Sequence, residues 1–115
     1  MFRESVRRFV ANEIVPHHDQ WERDGIIPRA IWQHAGELGF LGMQVPEAYG
    51  GAGVEDFRFN AIITEELMRV GASGVGIPLH NDITIPYILH YGNEDQKQRF
   101  LPGMVSGDCI SAIAM

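Results

Sequence analysis

The amino-acid sequence predicts an all-α domain, resembling a helical bundle, that ends in a short β-strand. Apolar residues recur at helical spacing in several segments, and helix-capping residues flank those segments. Residues 109–115 are apolar or small and follow the turn-forming sequence Ser106-Gly107-Asp108, which indicates a strand. A lone strand cannot satisfy its own backbone hydrogen bonds. We therefore expect a helical domain over 1–108, the first strand of a missing sheet domain over 109–115, and a longer parent protein.

The first 39 residues are predicted to contain two helices with a shorter helical piece between them. The first should end or kink at Pro16, because proline lacks an N–H donor. Its apolar stripe consists of Val6, Phe9, Val10 and Ile14. The short piece closes at Asp24-Gly25, and the second helix extends from Pro28 to Gly39, residue types that favour helix starts and ends.

Three further helical segments are predicted after an extended apolar piece at 40–45 and a glycine-rich loop. The third helix covers about 54–70, with Glu65 spaced to pair with Arg69. The apolar segment 72–91 should form two short helices broken near Pro78 or Pro86. The last helix begins at Asn93 and reaches 101, and 102–105 can add one more turn. Its start matches the capping-box pattern.

Composition excludes several classes of function. The chain has 115 residues, 45% of them apolar, with a formal net charge of −6 and a pI near 5.2. An acidic domain is a poor partner for nucleic acid or anionic membranes. No apolar run approaches the roughly 18 residues of a membrane span. The single cysteine, Cys109, excludes an internal disulfide and is predicted to be a small buried hydrophobic residue rather than a nucleophile.

No catalytic or metal-binding motif is found from the residues alone. The loop Gly50-Gly51-Ala52-Gly53 lacks the Lys-Ser/Thr pair of a phosphate-binding loop, so it is interpreted as a connection. Glu13 and His17 lie one helical turn apart, but no H-E-x-x-H motif occurs, and no metal site is predicted. The polar sequence His80-Asn81-Asp82 interrupts an apolar segment. Two interpretations stay open: a cap on a helix starting near Ile83, which we favour, or the wall of an internal pocket.

A set of short motifs, ordered along nearly the whole chain, resembles the N-terminal helical domain of the acyl-CoA dehydrogenases. The motifs are Val10-Ala11-Asn12-Glu13-Ile14-Val15-Pro16, Leu38-Gly39-Phe40-Leu41-Gly42, Val45-Pro46-Glu47-Ala48-Tyr49-Gly50-Gly51, Thr64-Glu65-Glu66-Leu67, Tyr91-Gly92-Asn93-Glu94-Asp95-Gln96-Lys97, Phe100-Leu101-Pro102 and Gly107-Asp108-Cys109-Ile110. The segment from Leu79-His80-Asn81-Asp82-Ile83 through Pro86-Tyr87-Ile88, with Ala112-Ile113-Ala114-Met115, most resembles the long-chain branch.

The resemblance implies a flavoprotein that oxidises acyl-CoA thioesters and passes electrons to an electron-transfer flavoprotein. It also implies a homotetramer when full length, in the bacterial cytoplasm or, if the source is eukaryotic, in the mitochondrial matrix. The catalytic glutamate and most of the FAD site would lie beyond Met115. We therefore expect this chain to be inactive alone and not to retain FAD. The competing hypothesis is a stand-alone helical protein-interaction module without flavin.

The resemblance also implies where two groups of ligand-contacting residues lie. The segment that begins to contact the flavin consists of Ile113, Ala114 and Met115. The wall of the acyl-chain cavity consists of Val75, Gly76, Ile77, Leu79 and His80. On steric grounds, Gly74, Gly76 and Pro78 would leave room for a long or bulky acyl tail.

Overall fold

Helices account for all the regular secondary structure in residues 1–114, the part of the chain that the computed structural model describes. Seven α-helices are interrupted by two π-helical turns and one 3₁₀ turn. In chain order these are α1 Phe2–Phe9, the π turn Val10–Ile14, α2 His18–Asp24, α3 Arg29–Glu37, the 3₁₀ turn Glu47–Tyr49, α4 Phe57–Arg69, α5 Ile77–Leu79, the π turn His80–Thr84, α6 Ile85–Tyr91 and α7 Glu94–Ser106. The all-α prediction is confirmed.

The strand predicted over 109–115 is not formed by residues 109–114, and Met115 lies outside the described residues. The physical reason is the absence of a partner: every other regular segment among the described residues is helical, so no edge can donate to or accept from this backbone. That this segment begins a sheet domain stays a prediction.

Two hydrophobic clusters fill the interior. The larger cluster joins α1, α3 and α4 with the beginning of α5, and the smaller one joins α6 and α7 with the segment before the 3₁₀ turn. Cys109 packs partly buried against the smaller cluster, which consists of Val45, Ile85, Leu101 and Met104. No helix within residues 1–114 is long and apolar enough to cross a membrane.

Both π turns stand directly before a Val-Pro or Ile-Pro step, and they correct the expected break in residues 72–91. The Val15 N–H bonds to Val10 O at 2.9 Å, and the Ile85 N–H bonds to His80 O, which are five-residue steps. Proline clashes with the carbonyl four residues earlier in a regular helix. The wider π turn relieves this steric clash. Helix α5, the π turn and α6 therefore run on without the break predicted near Pro78 or Pro86.

The predicted start of the last helix is confirmed in detail. The Asn93 side chain accepts from the Gln96 N–H at 2.9 Å, and the Gln96 side chain accepts from the Asn93 N–H at 2.9 Å. We expect Asn93→Ala to lower the free energy of unfolding by about 1 kcal/mol, because it removes one of the two reciprocal bonds. Urea unfolding measures this. Gln98→Ala, in the same helix but outside the capping box, is the control, and an equal loss in both variants would contradict the capping account.

Helices α3 and α7 cross at glycine. A Cβ at Gly36 would overlap the backbone carbonyl of Ser106, so only glycine allows this approach. Directly after α7, Gly107 adopts a positive φ of 90°, and a Cβ at this position would overlap the Trp32 carbonyl. The chain that leaves α7 is therefore laid directly onto α3.

Candidate functional site

The segment after α7, residues 107–114, is the part of the chain that leaves the helical bundle, and we call it the exit segment. Its first residues are tied to α3 and α7. The Cys109 N–H bonds to Gly103 O at 2.9 Å. Arg29 donates to the Asp108 carbonyl and Gln33 to the Asp108 carboxylate, both at 3.2 Å. These bonds direct the exit segment across α3.

A cleft of about 780 Å³ opens beside the exit segment. Its lining includes Trp21, Ile27 and Trp32 from the α2–α3 region, together with Gly74, Gly76, Ile110 and Ala112. The Gly74 N–H lies 3.3 Å from His18 Nε2, a contact between two residues of the lining. The lining is mostly apolar or small, a composition typical of small-molecule and cofactor sites.

Beneath this cleft, His80 is fully buried in the second π turn. Its Nε2 lies 2.8 Å from the Met104 carbonyl, and its Nδ1 lies 2.8 Å from Ser111 Oγ and 3.3 Å from Ser111 N. A carbonyl only accepts, so Nε2 carries the proton and Nδ1 accepts from Ser111. Burial lowers the pKa of His80 below its ordinary value, against the opposing effect of the Met104 bond. The ring is therefore held neutral.

The residues expected to wall the acyl cavity divide into two groups in the structure. Gly76 lines the cleft. Val75 and Ile77 are buried in the larger hydrophobic cluster just behind it, at 3% and 2% exposure. Leu79 is half-buried, and His80 lies below the lining with both ring nitrogens engaged. Of these five residues, Gly76 alone lines the cleft.

The favoured capping interpretation of Asn81 and Asp82 is wrong. Asn81 accepts from the Gly42 N–H at 2.9 Å and donates to Phe40 O at 2.8 Å, so it fixes the extended piece predicted at 40–45. Asp82 accepts from Asn60 at 2.7 Å. The reason is that helical backbone runs unbroken from α5 through the π turn into α6, so no helix starts at 83.

The π turn also explains an unusual backbone contact of Asn81. Five residues after Asn81 comes Pro86, which has no N–H, and the Ile85 N–H is already bonded to His80 O. The Asn81 carbonyl is left without a helical donor. Gln44 supplies one, with its Nε2 at 2.7 Å. The polar residues that looked like a cap therefore hold the 40–45 segment against the helix.

The remaining predicted site residues are placed at the end of the described chain. Ile113 is half-buried and Ala114 is exposed, and neither lines the cleft that Ile110 and Ala112 border. Met115 lies outside the described residues. In the structurally described chain, no three His, Cys, Asp or Glu side chains converge as a metal site would require. Glu13 contacts His34 rather than His17.

Sequence reasoning assigned no tryptophan to a site. Trp21 and Trp32 are both about nine-tenths buried, and both line the cleft. Trp32 also packs edge-on against His80, with ring centroids 5.3 Å apart. The two tryptophans were the available signal, because large aromatic side chains are rarely fully covered inside a small domain.

Comparison with known proteins identifies the family of the chain. Residues 1–108 match the family model "Acyl-CoA dehydrogenase, N-terminal domain". The long-chain specific acyl-CoA dehydrogenase of Sus scrofa mitochondria is 46% identical over 115 residues, which is 100% of this chain and 26% of that protein. The acyl-CoA dehydrogenase crystal structure from Geobacillus kaustophilus superposes with a TM-score of 0.88 at 52% identity, over 94% of this chain and 28% of that one.

A further solved structure of a related protein contains FAD. The acyl-CoA dehydrogenase of Bacillus anthracis complexed with FAD gives a TM-score of 0.72 at 31% identity, over 94% of this chain and 19% of that one. The chain spans about a quarter of the length of the first curated relatives it matches. The match of residues 1–108 to the family model, together with these relatives, shows that the chain belongs to the acyl-CoA dehydrogenase family, of which it forms the N-terminal helical domain.

Proposed function

We propose that this chain is part of a flavin-dependent enzyme that introduces an α,β double bond into acyl-CoA thioesters, in fatty-acid β-oxidation or related acyl-CoA metabolism. Within that enzyme it walls the acyl pocket and supports FAD. One observation supports the proposal: a mostly apolar cleft is lined both by Gly76, from the predicted pocket wall, and by Ile110 and Ala112 of the exit segment. The relatives that are named as long-chain specific favour a long acyl chain as the occupant.

The residues of the cleft fit an alkyl chain or a flat ring system. A Cβ placed at Gly76 would lie 3.9 Å from the Trp32 ring, so any longer side chain there would occupy the space beside that ring. Ala112, another small residue, also lines the cleft. When bound, FAD would accept the hydride from the substrate. The role of this chain's residues is to hold the apolar tail and to exclude water from it.

We do not assign the residues of the catalytic step to this chain. A carboxylate base must remove the α-proton of the thioester. We assign that role to a glutamate beyond Met115, so the chain alone would be inactive. We further propose that electrons pass to an electron-transfer flavoprotein and that the full protein is a homotetramer. Its location would be the bacterial cytoplasm or the mitochondrial matrix, since its relatives include both bacterial and mitochondrial proteins.

We expect Gly76→Leu, made in the full protein whose reading frame contains this chain, to shorten the acyl pocket. The KM for a long-chain acyl-CoA should rise about tenfold, which corresponds to about 1.4 kcal/mol. The KM for a four-carbon acyl-CoA and the FAD content should stay unchanged, because a short tail does not reach the added side chain. Steady-state kinetics across a chain-length series measure this.

Ser73→Leu is the matched control, because it adds the same side chain at an exposed position three residues earlier. A Gly76→Leu enzyme with the same change in KM for short and long substrates would contradict the pocket assignment. So would a Ser73→Leu enzyme that shows the long-chain defect.

The competing proposal, a stand-alone interaction module, is favoured by large apolar side chains on the surface. Ile26 is 70% exposed and Phe57 63% exposed. Isolated exposed apolar residues are common, so this observation is weak. The two proposals differ in melting behaviour: a module would bind a protein partner and show no shift in Tm with long-chain acyl-CoA or FAD in either the 115-residue chain or the full protein.

A further inference from the structure

Beyond its first three residues, the exit segment is held to the helical domain by one side chain. Ser111 is the last residue within 1–114 that makes a hydrogen bond to the helices, and its partner is His80. Ile110 adds apolar packing against the larger cluster. The hydrogen bonds that Arg29 and Gln33 donate to Asp108 are exposed to solvent. The buried imidazole is thus the rigid anchor nearest the point where the chain departs.

His80 is in turn fixed by a hydrogen bond, by an aromatic contact and by burial. Its Nε2–H donates to the Met104 carbonyl at 2.8 Å, one of the last carbonyls of α7, which have no helical donor of their own. The Trp32 ring contacts it edge-on. The ring itself is fully buried, so water cannot replace either bond without opening the core. A side chain held this firmly can set the position of what it binds.

We infer that His80 is a positioning residue that sets the path by which the chain leaves the helical domain. The Nδ1 atom of His80 receives both the hydroxyl and the backbone N–H of Ser111, which fixes the backbone two residues before Ile113. This role differs from the pocket-wall role that the resemblance implies for His80, which stays a prediction. The link to the flavin rests on the proposed function, in which residues 113–115 approach the cofactor. Under that proposal, His80 positions this part of the cofactor site.

Two substitutions separate the two bonds of the imidazole. His80→Asn places an amide oxygen two bonds from Cβ, where Nδ1 lies, so it can still accept from Ser111 but no longer reaches Met104. His80→Gln places its amide three bonds from Cβ, where Nε2 lies, so it keeps the Met104 bond and loses Ser111. Each variant removes a comparable share of the polar contacts, so their effects on overall stability should be similar.

The test is amide hydrogen exchange of this chain, read at Ser111 and at its neighbours 110–113. We expect His80→Gln to speed exchange of the Ser111 amide at least tenfold and His80→Asn to change it less than threefold, with equal Tm values for the two variants. Ser73→Ala, an exposed serine outside this contact, should change neither. Equal exchange rates in the Gln and Asn variants, or no acceleration with Gln, would overturn the inference.

A second readout uses the full protein with FAD and is independent of the first. His80→Gln should release FAD at least tenfold faster than His80→Asn, with the flavin absorbance shifted in the Gln variant alone. If the native full protein holds no FAD, the proposed function fails. The hydrogen-exchange result then still tests whether His80 holds Ser111 in place. If FAD release is equal in both variants although exchange differs, the link from His80 to the cofactor is overturned.

Discussion

We expect Gly107→Ala to lower the free energy of unfolding by about 3 kcal/mol and to detach the exit segment from α3. Two effects add at this position. Gly107 adopts a φ of 90°, which is strained by about 1–2 kcal/mol for a residue with a Cβ. The new Cβ would also overlap the Trp32 carbonyl, and backbone cannot move aside as a flexible side chain can. Urea unfolding of the two proteins gives the difference directly.

Gly25→Ala is the matched control for this prediction. Gly25 also ends a helix, with a φ of 74°, but nothing lies within 4 Å of the Cβ it would gain. It should show the conformational strain alone, about 1 kcal/mol. If the two variants lost the same stability, the close approach of the exit segment to α3 would be wrong.

We expect Glu66→Gln to destabilise the domain by about 2 kcal/mol, because one buried carboxylate joins α1 to α4. Glu66 is 1% exposed and accepts from Arg3 at 2.8 Å, Arg7 at 2.9 Å and Arg69 at 3.2 Å. An amide is neutral and cannot serve three guanidinium groups. Removing one partner of a buried pair typically destabilises by 3–5 kcal/mol, and the half-exposed arginines reduce that figure here. Glu65→Gln, whose carboxylate is 61% exposed, should have little effect.

The same carboxylate predicts an acid dependence of stability. The hydrogen bonds from Arg7, and then from Arg3 and Arg69, outweigh the opposing effect of burial and hold the pKa of Glu66 to about 2, below its ordinary value of 4.5. A lowered carboxyl pKa in the folded state means that the stabilisation is complete above 4.5 and is lost as the pH falls towards 2. The stability of Glu66→Gln should therefore vary less with pH over that range. Identical pH profiles for the two proteins would contradict this assignment.

The local features of this fold could be read from the sequence, because they depend on residues close together in the chain. The capping box at Asn93, the helix end at Gly25 and the glycine-rich connection are such features. The π turns were missed because helical periodicity differs little between four-residue and five-residue steps over a single turn. The sequence correctly indicated that proline disturbs the helices, but it did not indicate that a π turn accommodates the proline.

Features that depend on distant residues were the ones that sequence reasoning did not find. The spacing of Glu65 and Arg69 favoured a pair along α4, yet Arg69 bonds to Glu66, and Glu65 bonds to Arg3. Nothing in local spacing shows that α1 brings two arginines to α4. The candidate site is a further example: Gly76 was expected in it, whereas Trp32, which also lines the cleft, comes from a helix that is distant in the sequence.

The central claim is that this helical domain supplies one wall of a flavin-dependent acyl-CoA site that the rest of the protein completes. The most direct measurement is the flavin content and acyl-CoA oxidation of two purified proteins: the full product of the reading frame, and the 115-residue chain. The account predicts a full product that carries one FAD per chain and reduces it with long-chain acyl-CoA, and a 115-residue chain that is colourless. A full product without flavin, or a 115-residue chain that retains it stoichiometrically, would contradict the account.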